Sequence, residues 1–429
     1  MEVRPKRLAP RGTQDVLPPE SAKGQYVEAT FRRTCACYQY GEIRTPMFEE
    51  TELFSRAAGE TTDIVTKEMY TFTDRGGRSL TLRPEGTPSV VRAFIEHKLY
   101  GEPDAHKYYY VAPIFRYERP QAGRYRQHHQ LGVECLGPAG PDADAEVIAL
   151  ACDFLKALPL VGASLQISSL GCPECRPTYR ERLQEFIRPR LAELCEYCQG
   201  RFEVNPLRIL DDKNPRCQEL TQGAPSPLDT LCGACREHHE RLLALLAEAG
   251  IPYRENPRIV RGLDYYTRTV FEVIHGELGA QNTLVGGGRY DLLVEELGGP
   301  PTPAVGFGSG LERILLVLEA QGWSPPPPTP PVYVAVAQGA GDAGWLLAER
   351  LRRAGLAAQV DLLHRSLKAQ MKEADRLGSR YVLIVGEQEV AAGEATLRDM
   401  QTGEQRPLPL EGAAELMAGL VGEKGQAES

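Results

Sequence analysis

Between Ser324 and Pro331 the chain reads Ser-Pro-Pro-Pro-Pro-Thr-Pro-Pro. Each proline locks φ and lacks an N–H, so this run can neither continue a helix nor lie inside a sheet; it favours extended polyproline geometry and acts as a semi-rigid spacer. A chain of 429 residues also exceeds what one hydrophobic core usually supports. The run therefore predicts a large unit over 1–325, a linker over 324–331 and a small unit over 332–429. In the small unit, strand-length apolar runs at Val332–Ala337, Ala358–Leu362 and Tyr381–Val385 alternate with helix-like stretches at Trp345–Ala354 and Ser366–Leu377, and Gly386 supplies a turn. That alternation predicts a small α/β domain with a largely parallel sheet. It contains no cluster of chemistry-bearing residues and reads as a binding module.

The large unit mixes strand and helix signals without alternation, so the chain as a whole is α/β with an α+β larger unit. Ser79–Leu82 and Tyr108–Ile114 read as strands, and Ala22–Tyr38 reads as a helix. Asp144–Leu158 also reads as a helix, with Val147, Ile148, Ala151, Phe154, Leu155 and Leu158 on one face and Asp142 or Asp144 available to cap its start. The stretch 170–250 is rich in helix formers and reads as an insertion.

The formal charge of −9 excludes a uniformly basic surface but not a local phosphate-binding patch. Met1–Pro10 lacks the apolar core of a signal peptide, and no segment reaches the roughly 18 apolar residues of a membrane helix. These features predict a soluble, cytoplasmic protein with no membrane partner.

The densest chemistry lies in Phe115-Arg116-Tyr117-Glu118-Arg119-Pro120 and Gly123-Arg124-Tyr125-Arg126-Gln127-His128-His129-Gln130. Two strands, Tyr108–Ile114 and Leu131–Leu136, flank this loop. A guanidinium suits bidentate contact with phosphate oxygens and keeps its charge at any physiological pH. Phe115-Arg116-x-Glu118 resembles motif 2 of the class II aminoacyl-tRNA synthetases. Gly308-Ser309-Gly310-Leu311-Glu312-Arg313 resembles their motif 3, and Arg44-Thr45-Pro46 resembles motif 1 with its dimer-interface proline. Each is weak alone; their order and separation make the signal. Arg83-Pro84-Glu85-Gly86-Thr87 and Arg261-Gly262-Leu263-Asp264-Tyr265-Tyr266, supported by Gly286-Gly287-Gly288-Arg289-Tyr290-Asp291, are similar to the signatures of the histidyl-tRNA synthetase family.

The resemblance implies a catalytic unit built on an antiparallel sheet with a helical insertion, followed by an anticodon-binding domain. It implies a homodimer acting on histidine, ATP with Mg²⁺, and tRNA(His). Arg116 and Arg261 are the implied catalytic groups at the α-phosphate, with Arg124 and Arg313 further along the triphosphate. Glu85, Gly86, Thr87 and Gln130 are implied at the histidine ammonium, and Glu134, Tyr265 and Tyr266 at the imidazole. His128 stands where the family pattern leads one to expect phenylalanine, and Leu292 where glycine is common. The alternative is the histidine-sensing regulatory paralogue of ATP phosphoribosyltransferase, which shares the catalytic fold but usually lacks the C-terminal domain.

Seven of the 11 cysteines fall between Cys172 and Cys235. Cys172/Cys175 and Cys195/Cys198 are Cys-x-x-Cys pairs with spacing suited to one Cys₄ zinc site. A third pair, Cys232/Cys235, lies near Cys217 and His238 and offers a second, Cys₃His site. Alternatively the first and third pairs share one ion. The sequence leaves these arrangements open, as it does the reading of reduced thiols without metal. Cys35, Cys37, Cys135 and Cys152 read as ordinary buried thiols.

Overall fold

The computed structural model describes residues 8–59, 62–121, 123–325 and 332–425. Two compact units meet at Pro325; most of the proline run, 326–331, lies outside the described residues.

The larger unit is organised by an eight-stranded sheet. In spatial order its strands are Gly41–Glu42, His106–Phe115, Gln127–Leu136, Ala304–Gly310, Thr283–Arg289, Thr267–Ile274, Ser164–Ser169 and Tyr253–Glu255. The interior pairs are antiparallel and the two edge pairs are parallel. One face is buried under helices Glu20–Cys37, Pro141–Lys156, Gly233–Glu248 and Leu311–Ala320. They meet the sheet through Phe31, Phe154, Leu246 and Val317 among others. The opposite face packs around helix Thr87–Glu96 and a cluster of tyrosines, Tyr110, Tyr265, Tyr266 and Tyr290.

The expected helix over Asp144–Leu158 is Pro141–Lys156, with the predicted apolar face buried. Neither aspartate caps it: the N-cap is Gly140, which has no side chain to bond the helix N–H groups. Asp144 is fully buried and takes the Arg289 guanidinium instead. Burial of a carboxylate demands a paired cation, and Arg289 arrives from a strand more than a hundred residues away. Of the insertion, the last helix, Gly233–Glu248, joins the main core through Leu242 and Leu246. The remainder keeps a small core of its own around Tyr179, Leu183, Phe202 and Ile209. Cys37 is exposed, unlike the buried thiol expected; Cys35 and Cys135 are buried.

The second unit has a five-stranded sheet. Val332–Val336, Ala358–Val360 and Tyr381–Val385 are parallel, as the alternation predicts, and helices Gly341–Arg353 and Leu367–Arg376 connect them. The sheet then continues antiparallel through Glu394–Asp399 and Gln405–Pro409. Gln405–Pro409, polar and proline-containing, carries little strand signal because it finishes the sheet at its edge, where one side needs no partner. Among the described residues, no helix is long and apolar enough to cross a membrane.

Candidate active site

A cleft of about 600 Å³ opens on the sheet of the larger unit, and Glu85, Thr87, Arg116, Arg124, Gln130, Glu134, Arg261, Tyr265, Tyr266 and Arg313 all line it. These residues come from four stretches of sequence, 85–87, 116–134, 261–266 and 313, and the packing of the sheet with its loops and helices brings them together. Gly86 lies behind them as the N-cap of helix Thr87–Glu96, where a Cβ would overlap the Tyr110 ring.

Two glycines make the floor. Gly306 lies opposite Glu134 in the register of strands Ala304–Gly310 and Gln127–Leu136, and any side chain there would overlap the Glu134 carboxylate. Gly286 leaves the same kind of space for the Arg261 guanidinium. The Gly-rich strands are thus thin where charged side chains must lie flat across them.

Glu85 and Glu134 are buried together. The Tyr265 hydroxyl donates to Glu85 Oε2 at 2.9 Å. Thr87 donates to Glu134 Oε1 at 2.6 Å, and Tyr290 donates to its other oxygen. Groups expected at opposite ends of one substrate are therefore paired, Tyr265 with Glu85 and Thr87 with Glu134. Burial pushes the Glu85 carboxyl up to about 7, against the pull of the nearby Arg116 charge. Burial also pushes Glu134 up to about 8. Glu85 Oε1 is buried without a hydrogen-bond partner among the described residues. Such an acceptor is costly unless a ligand donor reaches it.

Four arginines face these carboxyls. Arg116 Nε is anchored on the Pro84 carbonyl at 2.7 Å. Arg261 pairs with Glu272 at 2.5 Å and lies over the Tyr266 ring, 5.3 Å from its centroid. Arg313 donates to the Gly123 and Thr283 carbonyls, and Arg124 contacts Glu118 at 3.1 Å. Arg313 is held below its ordinary value by burial and then by the Arg124 charge. His128 is lowered to about 3, by burial and then by Arg116. A neutral, half-buried ring accounts for a histidine standing where phenylalanine was expected. Glu312 receives both the His129 N–H, at 2.9 Å, and His129 Nδ1, at 3.0 Å. The helix ending the third motif is thereby tied to the strand returning from the second.

The geometry is that of a site for an anionic, phosphate-bearing molecule beside a small cationic one. The histidyl-tRNA synthetase profile matches residues 12–314, and an anticodon-binding domain profile matches 332–420. The chain belongs to the histidyl-tRNA synthetase family. Among curated members, the histidine–tRNA ligase of Desulforamulus reducens is 56% identical, over 94% of this chain and 96% of its own length. That of Desulfitobacterium hafniense is 54% identical, over 95% and 97%. The apo histidyl-tRNA synthetase of S. aureus superposes with a TM-score of 0.81 at 39% identity, covering 96% of this chain and 99% of its own. The fold alone is also shared, at 22% identity and a TM-score of 0.64, with a Bacillus halodurans protein described as an ATP phosphoribosyltransferase regulatory subunit/histidyl-tRNA synthetase; 89% of this chain and 99% of that one are covered.

Relative to other parts of the synthetase site, sequence reasoning passed over Tyr290 as a ligand of Glu134 and Glu272 as the partner of Arg261. For Glu272 a signal existed: it is the one acid in the run Val270–Ile274, which is otherwise apolar. Arg289, inside the glycine signature, is fully buried away from the cleft on Asp144.

The cysteines form two groups. Cys172 and Cys175 meet Cys232 and Cys235, not Cys195 and Cys198, so the Cys₄ arrangement of the first two pairs is corrected to the first and third. The Cys172 sulfur lies 3.6 Å from that of Cys175 and 3.9 Å from that of Cys232. The pairing follows from helix Gly233–Glu248 docking on the main core, which carries Cys232 and Cys235 back to the start of the insertion. Cys195 and Cys198 instead meet Cys217 and Asp212. His238 joins neither group, since it contacts Asp144 at 3.3 Å.

Proposed function

We infer that this chain is a histidine–tRNA ligase: it joins histidine to ATP as histidyl-adenylate, releasing pyrophosphate, and passes the histidyl group to the 3′ end of tRNA(His). The observation that carries the reading is one cleft in which four arginines surround two buried, phenol-linked carboxyls.

In the first step a histidine carboxylate oxygen attacks the ATP α-phosphorus and the bond to the β-phosphate oxygen breaks. Such transfer depends on positioning and on neutralising charge as it develops. Arg116 and Arg261 serve the α-phosphate, Arg124 the β/γ end, and Arg313 the γ-phosphate and the adenine side. Mg²⁺, a hard cation, would be held here by the cleft carboxylate Glu118 together with phosphate oxygens and would neutralise charge on the triphosphate. Glu85, Thr87 and Gln130 take the ammonium of histidine; Glu134, Tyr265 and Tyr266 take its ring nitrogens. A site that satisfies both ring nitrogens rejects apolar analogues, because its buried polar groups would otherwise lose partners. In the second step the terminal ribose hydroxyl of tRNA attacks the carbonyl carbon and AMP leaves. The acceptor end meets the loop 117–127, and the second unit reads unstacked anticodon bases.

The same reading makes the enzyme a cytoplasmic homodimer. Met47, Phe48 and Phe72, beside the motif 1 proline, are 53%, 50% and 44% exposed, an apolar surface suited to a symmetric partner. Cys172, Cys175, Cys232 and Cys235 hold a structural zinc. The regulatory-paralogue alternative is disfavoured by Arg116, Arg261 and Arg313 in the cleft and by the anticodon-binding match.

The test is histidine-dependent exchange of pyrophosphate into ATP without tRNA, with the other nineteen amino acids as controls. Exchange with histidine alone is expected. Histidine binding without exchange would instead favour the sensor.

A further inference from the structure

We propose that Cys195, Cys198, Cys217 and Asp212 form a second zinc site, of Cys₃Asp type, that holds the Arg261-bearing wall of the catalytic cleft in place. The catalytic half of this inference rests on the function proposed above; the metal half does not.

The ligand atoms of these four residues all lie within 4.8 Å of one another. A zinc ion with Zn–S bonds of ~2.3 Å separates its sulfurs by ~3.8 Å, so the group is close to a tetrahedral edge length. The Cys195 sulfur is 3.9 Å from Asp212 Oδ2. The other oxygen of Asp212 receives the Asn214 N–H at 2.7 Å, which orients the carboxylate toward the thiols as ligand-supporting bonds do. The Cys195 N–H points at the Cys217 sulfur, 3.4 Å away. Three thiols and a carboxylate, two of them buried, are a costly grouping without a cation and a suitable one with zinc.

Local structure needs such a clamp. The ligands sit on or beside two six-residue helices, Glu196–Arg201 and Pro215–Leu220, and the 3₁₀ segment Pro206–Asp211. Helices this short are not stable alone. Their core is a small cluster around Phe202, Ile209, Cys198 and Cys217, in the size range where metals commonly supply the missing stability.

The same stretch touches the active site. Asp211 and Lys213, on either side of Asp212, line the cleft. Asn205 Nδ2 donates to Asp264 Oδ1 at 3.1 Å, and Arg208 donates to the Gly262 carbonyl. On the other side of Arg261, Arg258 donates to the Thr221 carbonyl at 3.2 Å and to its hydroxyl at 3.0 Å. Arg261 is thus carried on a segment gripped at both ends by the metal-clamped lobe.

The test uses the full chain, purified with zinc and dialysed, with metal content measured by mass spectrometry. Two zinc ions per chain are expected. Cys217→Ser and Asp212→Asn should each lower this to about one, and should lower kcat for histidine-dependent exchange by about tenfold or more, with less change in KM. Asp212→Cys should restore both zinc and kcat. In the cobalt-substituted protein it should also raise the thiolate-to-cobalt absorbance, as seven sulfur ligands become eight. The clamp would be overturned by a wild type holding one zinc or none, by iron in its place, or by Cys217→Ser retaining both ions. Loss of one zinc with unchanged kcat would overturn its link to Arg261. Two zinc ions in a wild type without histidine-dependent exchange would leave the metal site standing and sink the proposed function.

Discussion

Glu85 and Glu134 show how burial sets chemistry at single residues. A carboxyl raised by burial is protonated in the empty site near neutral pH, yet an ammonium is best met by a carboxylate. Glu85, placed at the ammonium, should therefore lose its proton when histidine binds, and KM for histidine should fall as pH rises through about 7. Calorimetry in buffers of different ionisation enthalpy would detect the released proton, and Glu85→Gln should abolish it. The stability of the empty protein has the corresponding sign. Raised carboxyls contribute fully below their ordinary values, and the contribution is lost as pH climbs through the folded values. A second expectation concerns Arg261, whose planar fork lies between Glu272 and the Tyr266 ring. An ammonium cannot reproduce the fork, so Arg261→Lys should cost on the order of 10²-fold in kcat with little effect on KM. An unchanged kcat in pyrophosphate exchange would remove Arg261 from the transition state.

Among elements, the join between helix Pro141–Lys156 and strand Thr283–Arg289 carries an ion pair with both side chains fully buried. Arg289 and Asp144 are both fully buried, and Arg289 also donates to the Pro138 and Gly140 carbonyls just before the helix. Removing one partner strands the other, so Arg289→Met should destabilise the protein by about 3–5 kcal/mol in urea unfolding. The double variant with Asp144→Leu should recover much of that loss. Equal loss in both would show that the carbonyl contacts, not the ion pair, matter. The pair also explains why the apolar periodicity of this helix was legible while its aspartates were misread. Periodicity is local, whereas an aspartate near a helix start serves equally as a cap or as a partner for a distant cation.

For the whole molecule, the exposed ring pair Phe48 and Phe72, 6.4 Å apart, belongs to the proposed dimer surface. Sedimentation should find the wild type at twice the chain mass, and Phe48→Glu with Phe72→Glu should shift it toward monomer. A wild-type monomer at micromolar concentration would refute the assignment.

Which residues line the cleft was readable in the order of short motifs, because arginine forks, paired acids and Cys-x-x-Cys steps are set by residue type and near spacing. The parallel strands of the second unit and the main helices were readable too, since hydrophobic alternation is local. Tertiary structure decided what lies far apart in sequence. It joined Thr87 to Glu134 and Glu85 to Tyr265, turned Arg289 away from the cleft, and matched Cys172 and Cys175 with Cys232 and Cys235. Many partners compete for a carboxylate, a guanidinium or a thiol, and only the packing of the sheet and its helices selects the one within reach.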